Sequence, residues 1–86
     1  MYLEDVSFVS PSLLYGLTDG GLEKSVDGGV SWSYVSTFDA TFSNVTRIFF
    51  EDEQHGLAYG GQRLYETVNG GKSWRTLLYP YDYILQ

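Results

Sequence analysis

Asp27 and Asn69 each stand directly before two glycines, as Asp27-Gly28-Gly29 and Asn69-Gly70-Gly71, where loop oxygens for a cation can stand. A calcium loop of the EF-hand kind needs oxygens at several alternating positions and a closing glutamate. Residues 27–38 lack them, so the spacing favours a turn in which the side chain bonds its own backbone. His55 is the one histidine and follows Glu51-Asp52-Glu53-Gln54. A base or a metal ligand could be built there, but one histidine in a polar turn ahead of Gly56 reads as a solvated loop. The run Glu51–Glu53 reads as a solvated turn, its other use being contact with a basic partner. Tyr34, Tyr59, Tyr65 and Tyr79 beside acids would suit sugar stacking. Packing between sheets consumes the same rings, and packing is the preferred reading.

The elements that position these residues come in two copies. Ser25-Val26-Asp27-Gly28-Gly29-Val30-Ser31-Trp32 recurs 42 residues later as Thr67-Val68-Asn69-Gly70-Gly71-Lys72-Ser73-Trp74. The same offset aligns Val6 with Ile48, Phe8 with Phe50, Leu22 with Leu64 and Val35 with Leu77. The chain divides into a unit at about 4–36, a linker at 37–45, a second unit at about 46–78 and a tail at 79–86. Val6 and Phe8 alternate with polar neighbours at the period of a half-buried strand. Leu13–Leu17, Leu22–Val26 and Trp32–Ser36 read as further strands, as do Gly56–Tyr59, Leu64–Val68 and Trp74–Leu78. Thr46–Glu53 ends in acids, as a helix could, but Ile48, Phe49 and Phe50 favour a strand. Asp, Asn and Gly tolerate the positive φ of tight hairpins. Four short strands in about forty residues is the unit of a β-propeller blade.

The octapeptide carries a resemblance. Residues 25–32 resemble the Asp-box, or BNR repeat, Ser-x-Asp-x-Gly-x-x-Trp, at all four positions, and residues 67–74 match with Thr67 and Asn69 as replacements. With Phe50, Gly56-Leu57-Ala58-Tyr59-Gly60 and Leu64-Tyr65-Glu66-Thr67, the second unit looks like the blades of photosystem II assembly and stability factor propellers. The resemblance implies an all-β fold of two four-stranded antiparallel propeller blades. It implies structural roles for Ser25, Asp27, Gly29 and Trp32, and for Thr67, Asn69, Gly71 and Trp74. Asp-boxes also occur in sialidases, which hold a carboxylate with an arginine triad. Arg47, Arg63 and Arg75 fall at unmatched positions of the two units, so no enzyme activity and no catalytic residue is expected.

Composition narrows the rest. The chain has 86 residues, a net charge of −6 and no cysteine, which leaves disulfides and thiolate metal sites out. Nucleic acid and anionic membranes need a basic surface, so neither is the expected partner. No basic leader followed by an apolar stretch, and no membrane-length apolar run, is visible. No cofactor or metal is expected, and the compartment is left open. Two blades cannot close a ring of four to eight. The expectation is a homo-oligomer, a trimer giving six blades before a tetramer giving eight, or another protein that supplies blades. Tyr81, Tyr83, Ile84 and Leu85 follow Pro80 and are expected to pack on a neighbour. The expected function is a non-enzymatic protein-binding, scaffolding or assembly module, a small virion or tail component included. The alternative is a lectin with sites between blades. The chain could be a natural protein, an excised fragment or a design.

Overall fold

The computed structural model describes residues 3–19, 21–36, 45–61 and 63–78. Tyr81, Tyr83, Ile84, Leu85 and nearly all of the linker lie outside them. Every regular element among the described residues is a strand. The strands are β1 (Asp5–Phe8), β2 (Leu14–Thr18), β3 (Gly21–Ser25), β4 (Ser33–Ser36), β5 (Arg47–Phe50), β6 (Gly56–Gly60), β7 (Arg63–Thr67) and β8 (Arg75–Leu78). They form two antiparallel sheets, in the order β1-β2-β3-β4 and β5-β6-β7-β8. Each neighbour in sequence is the neighbour in space, as short turns dictate.

The offset found in the sequence governs the backbone. β1 begins at Asp5 and β5 at Arg47, a step of 42 residues that every other strand pair keeps. Registers repeat as well: Asp5 faces Leu17 and Arg47 faces Tyr59, while Leu14 faces Ser25 and Gly56 faces Thr67. Each last strand meets a register shift at the same place, at Leu22/Glu23 and at Leu64/Tyr65. Some strand ends differ from the sequence expectation, and local bonds explain it. The N–H groups of Val9 and Ser10 both donate to the Leu13 carbonyl, so a turn runs up to Leu13 and β2 starts at Leu14. The Trp32 indole N–H donates back to the Gly29 carbonyl at 3.0 Å, which keeps Trp32 in the turn and starts β4 at Ser33.

Side chains alternate across a strand. On the first sheet, the registers put Asp5, Ser7, Tyr15, Leu17, Leu22 and Lys24 on one face. That face meets the second sheet, whose contributing face carries Ile48, Phe50, Ala58 and Tyr65. The hydrophobic core lies between the two sheets and consists of Tyr15, Leu17, Leu22, Val45, Ile48, Phe50, Ala58 and Tyr65. Val9, Val35 and Trp74 pack on its margin. Tyr15 lies flat on Phe50, with ring centroids 3.7 Å apart and planes at 14°. The Trp74 ring meets Phe50 edge-on at 6.0 Å. The backbone of Gly56 closes the other side of Phe50, because a Cβ there would stand 2.6 Å from ring carbons.

Repeat positions therefore have unequal surroundings. Phe50 is 2% exposed, whereas Phe8, its counterpart on the first sheet, is 67% exposed. Phe50→Ala should cost about 3–5 kcal/mol in urea unfolding. Phe8→Ala should change stability by no more than about 0.5 kcal/mol. Equal losses at the two positions would mean that the open face of the first sheet is covered in solution.

Candidate functional site at the junction of the sheets

The octapeptide turns link β3 to β4 and β7 to β8. Ser25 is buried at the end of β3. Its hydroxyl donates to Asp27 Oδ1 at 2.9 Å and accepts the Gly29 N–H at 2.8 Å. Asp27 Oδ1 also accepts the Ser31 N–H at 2.9 Å, and Oδ2 accepts the Ser31 hydroxyl at 2.6 Å. Gly29 sits at φ +96°, a region that residues with a Cβ rarely adopt. The second turn repeats the plan with one reversal. Thr67 donates to Asn69 Oδ1 at 2.9 Å and accepts the Gly71 N–H at 2.9 Å. Asn69 Oδ1 accepts the Ser73 N–H at 3.1 Å, but Asn69 Nδ2 donates to the Ser73 hydroxyl, which now accepts. The Trp74 indole N–H donates to the Gly71 carbonyl at 3.1 Å.

These bonds leave a charge difference between the turns. The Ser31 hydroxyl, the Ser31 N–H and the Ser25 hydroxyl stabilise the Asp27 carboxylate and lower its pKa from 3.8 to about 2. A carboxyl more acidic in the fold than in the unfolded chain contributes stability above the unfolded value, and that contribution is lost as pH falls through the folded one. Asp52 is shifted the same way, by the N–H groups of Gln54 and His55 and by the His55 ring.

A groove of about 280 Å³ opens where the second turn approaches the first sheet, lined by Lys24, Tyr34, Glu53, Gln54, Asn69 and Lys72 among others. Both lysines of the chain are there. Lys24 Nζ donates to Glu53 Oε2 at 2.6 Å, which raises the lysine pKa, and stands 5.8 Å from the Tyr15 ring centroid. The Tyr15 hydroxyl donates to the Glu53 carbonyl at 2.8 Å, and burial raises the pKa of this phenol. The Ser36 hydroxyl donates to the Gly71 carbonyl at 2.7 Å across the same junction. At the other end of the junction, Asp5 Oδ2 accepts the Ile48 N–H and Ser7 Oγ accepts the Phe50 N–H, both at 2.8 Å. Leu22 approaches Gly71 so closely that a Cβ there would clash with it.

The structure redistributes several sequence expectations. Glu53 is not simply a solvated turn residue, since it binds Lys24 and Tyr15 across the junction. Tyr65 is 1% exposed and is closed to a sugar ring, while Tyr34 and Tyr59 are exposed and Tyr79 lies outside the described residues. His55 is exposed, with Nδ1 3.0 Å from Asp52 Oδ1. Arg47 and Arg75 stand on the first and last strands of their sheet, about 14 Å apart by strand spacing. They face Asp5 at 3.9 Å and Glu66 at 2.6 Å respectively. Among the described residues, no group of three or more His, Cys, Asp or Glu side chains is placed to hold a metal ion. No helix there is long and apolar enough to cross a membrane. Nothing local in the sequence marks Asp5, Ser7, Lys24 and Glu53 as junction residues, because their partners lie 29 to 43 positions away.

Two measurements check this geometry. Wild-type stability should fall as pH drops from about 3.8 to about 2, and Asp27→Asn should flatten that dependence, leaving the part due to Asp52. An unchanged profile would place Asp27 outside its bonded turn. Gly71→Ala should cost more than Gly29→Ala, roughly 3 against roughly 1.5 kcal/mol, because both carry positive φ and only Gly71 also meets Leu22.

No family model matches the chain. It is 31% identical, over 77 aligned residues, to a probable oligoxyloglucan-reducing end-specific xyloglucanase of Neosartorya fischeri, an alignment covering 81% of this chain and 9% of that protein. Its fold is similar to that of YCF48 in a structure bound to a D1 peptide, with a TM-score of 0.70 and 20% identity, over 86% of this chain and 25% of that one. The chain thus spans a small part of each protein. Two four-stranded antiparallel meanders stacked face to face, with this likeness, are consecutive blades of a β-propeller.

Proposed function

We propose that the chain is a non-enzymatic propeller module that works by protein contact, as a scaffolding or assembly component. The observation that carries this is the exposure of two apolar sheet faces at opposite ends of the blade pair. The first blade presents Leu3 and Phe8, and the second presents Phe49, Tyr59 and Leu77. Apolar patches of this kind on a small protein mark contact surfaces. A propeller of similar fold has a bound peptide, which supports protein or peptide as the partner class. Further blades would cover both faces. Three copies would give six blades and four would give eight, or another polypeptide supplies the rest. In this reading the two turns are Asp-boxes with a structural role, since Ser25, Asp27, Thr67 and Asn69 spend their bonds within the turns.

A second reading rests on the groove. Tyr34 beside Gln54, Asn69 and two lysines offers a ring and polar groups for a sugar, and one relative is named for acting on an oligosaccharide. The two readings separate cleanly. The chain should not turn over xyloglucan oligosaccharides or a fluorogenic sialoside, and turnover would overturn the module reading. Glycan-array binding lost in Tyr34→Ala would move the conclusion to the lectin. An anilinonaphthalene sulfonate dye should bind the open faces, and Phe8→Ser and Phe49→Ser should each reduce its fluorescence with circular dichroism unchanged.

A further inference from the structure

The contact between the two blades is a template for what the open faces require. Blade 1 fastens blade 2 through side chains as well as through the core. Asp5 and Ser7, two residues apart on β1, accept the Ile48 and Phe50 N–H groups, which point away from β6 on the innermost strand of blade 2. Tyr15 and Lys24 add bonds to the turn at Glu53. The 42-residue register identifies what each open face offers in the same places. On blade 1, the Val6 and Phe8 N–H groups are the counterparts of Ile48 and Phe50. They point away from β2 and meet no acceptor among the described residues. On blade 2, the counterparts of Asp5, Ser7, Tyr15 and Lys24 are Arg47, Phe49, Leu57 and Glu66.

That substitution removes every one of these fasteners. Arginine and ammonium groups donate only, and phenylalanine and leucine neither donate nor accept. A second copy docked head to tail would set Arg47 and Phe49 against the Val6 and Phe8 N–H groups. Two backbone donors would lose their water and gain no acceptor, which is costly in a covered contact. Glu66 would face the position of Pro11, the counterpart of Glu53, and find no basic side chain there. The apolar shapes repeat around such a ring and the polar pattern does not.

We infer that the neighbour of blade 1 is a blade other than blade 2 of an identical copy. Its innermost strand differs from β5 and carries two acceptor side chains in an acceptor-x-acceptor spacing, as Asp5-x-Ser7 does. This rests on the module reading and selects, from the ways of covering its faces, another stretch of polypeptide over self-closure. The acceptor pair gives the contact its register, and the exposed Phe8 and Leu3 give it apolar area.

Installing the missing acceptors tests it. The double variant Arg47→Asn/Phe49→Ser gives blade 2 the pattern of blade 1, with Asn used because a second carboxylate would stand beside Asp5. Solution mass is read by light scattering, and amide exchange at Val6 and Phe8 by NMR. Wild type is expected to exchange both amides fast at every concentration, with Ile48 and Phe50 protected. The double variant is expected to associate to a discrete multiple of 9.7 kDa, with Val6 and Phe8 slowed at least about tenfold. Gain of association on losing an exposed phenylalanine would exclude simple apolar sticking. Wild type that protects Val6 and Phe8 by its own association overturns the inference. So does a folded double variant that leaves them fast. Phe49→Ser alone, at an exposed position, is the companion variant, with slowing expected at Phe8 and not at Val6. Dye binding by the wild type tests the module reading separately, so the two can fail independently.

Discussion

Tyr15 lying flat on Phe50 is the contact on which the rest of the molecule depends. It places the two sheets one aromatic thickness apart, and the other junction bonds are possible only at that spacing. The Tyr15 hydroxyl reaches the Glu53 carbonyl past the edge of the stack, and Lys24 reaches the Glu53 carboxylate beside it. Gly56 leaves room for the Phe50 ring, and Trp74 seals its edge. A chain of 86 residues buries a modest share of its surface. Concentrating the buried aromatics at one junction gives a single core in place of two small ones, since neither sheet alone has a covered face.

The pair is a repeat in backbone and an asymmetric object in chemistry. Strand lengths, registers and the bulge within the last strand are the same in both blades. The side chains that meet at the junction are not interchangeable. Ser7 corresponds to Phe49, Asp5 to Arg47, Lys24 to Glu66 and Glu23 to Tyr65. Each blade has one face built for a particular neighbour and one face still open. The exposure of Phe8 against the burial of Phe50 is the same position read with and without that neighbour.

Much of the fold was legible in the sequence because its determinants are local. Hairpin turns announce themselves by Asp-Gly-Gly and Asn-Gly-Gly, and the 42-residue offset carried the strand count and order from one unit to the other. Strand ends shifted by a residue where a backbone or indole bond pulled the chain into a turn, as at Leu13 and Trp32. The junction was not legible. Glu53 sits in an acidic run that looks like any solvated turn, and its partners Lys24 and Tyr15 are distant in sequence. Tyr65 looks like Tyr59 in sequence, yet one is buried and the other exposed, because the face a strand buries depends on which neighbour it has.

The molecule's reactive groups are mostly committed to one another. Asp27 is held by Ser25 and Ser31, Asp52 by His55 and two backbone N–H groups, Glu66 by Arg75, and Glu53 by Lys24. Exposed pairs of this kind add little stability, because water and salt screen them. They do fix geometry, and the Lys24–Glu53 pair does so on the wall of the groove. Uncommitted among the described residues are the Val6 and Phe8 N–H groups, the exposed Phe8 ring, and the exposed Phe49 and Tyr59 rings on the far face. Edge donors beside exposed aromatic area are the kind of surface that strand pairing covers. The cost of leaving it bare is association without register. The acceptor pair seen at the one completed junction shows how register can be imposed.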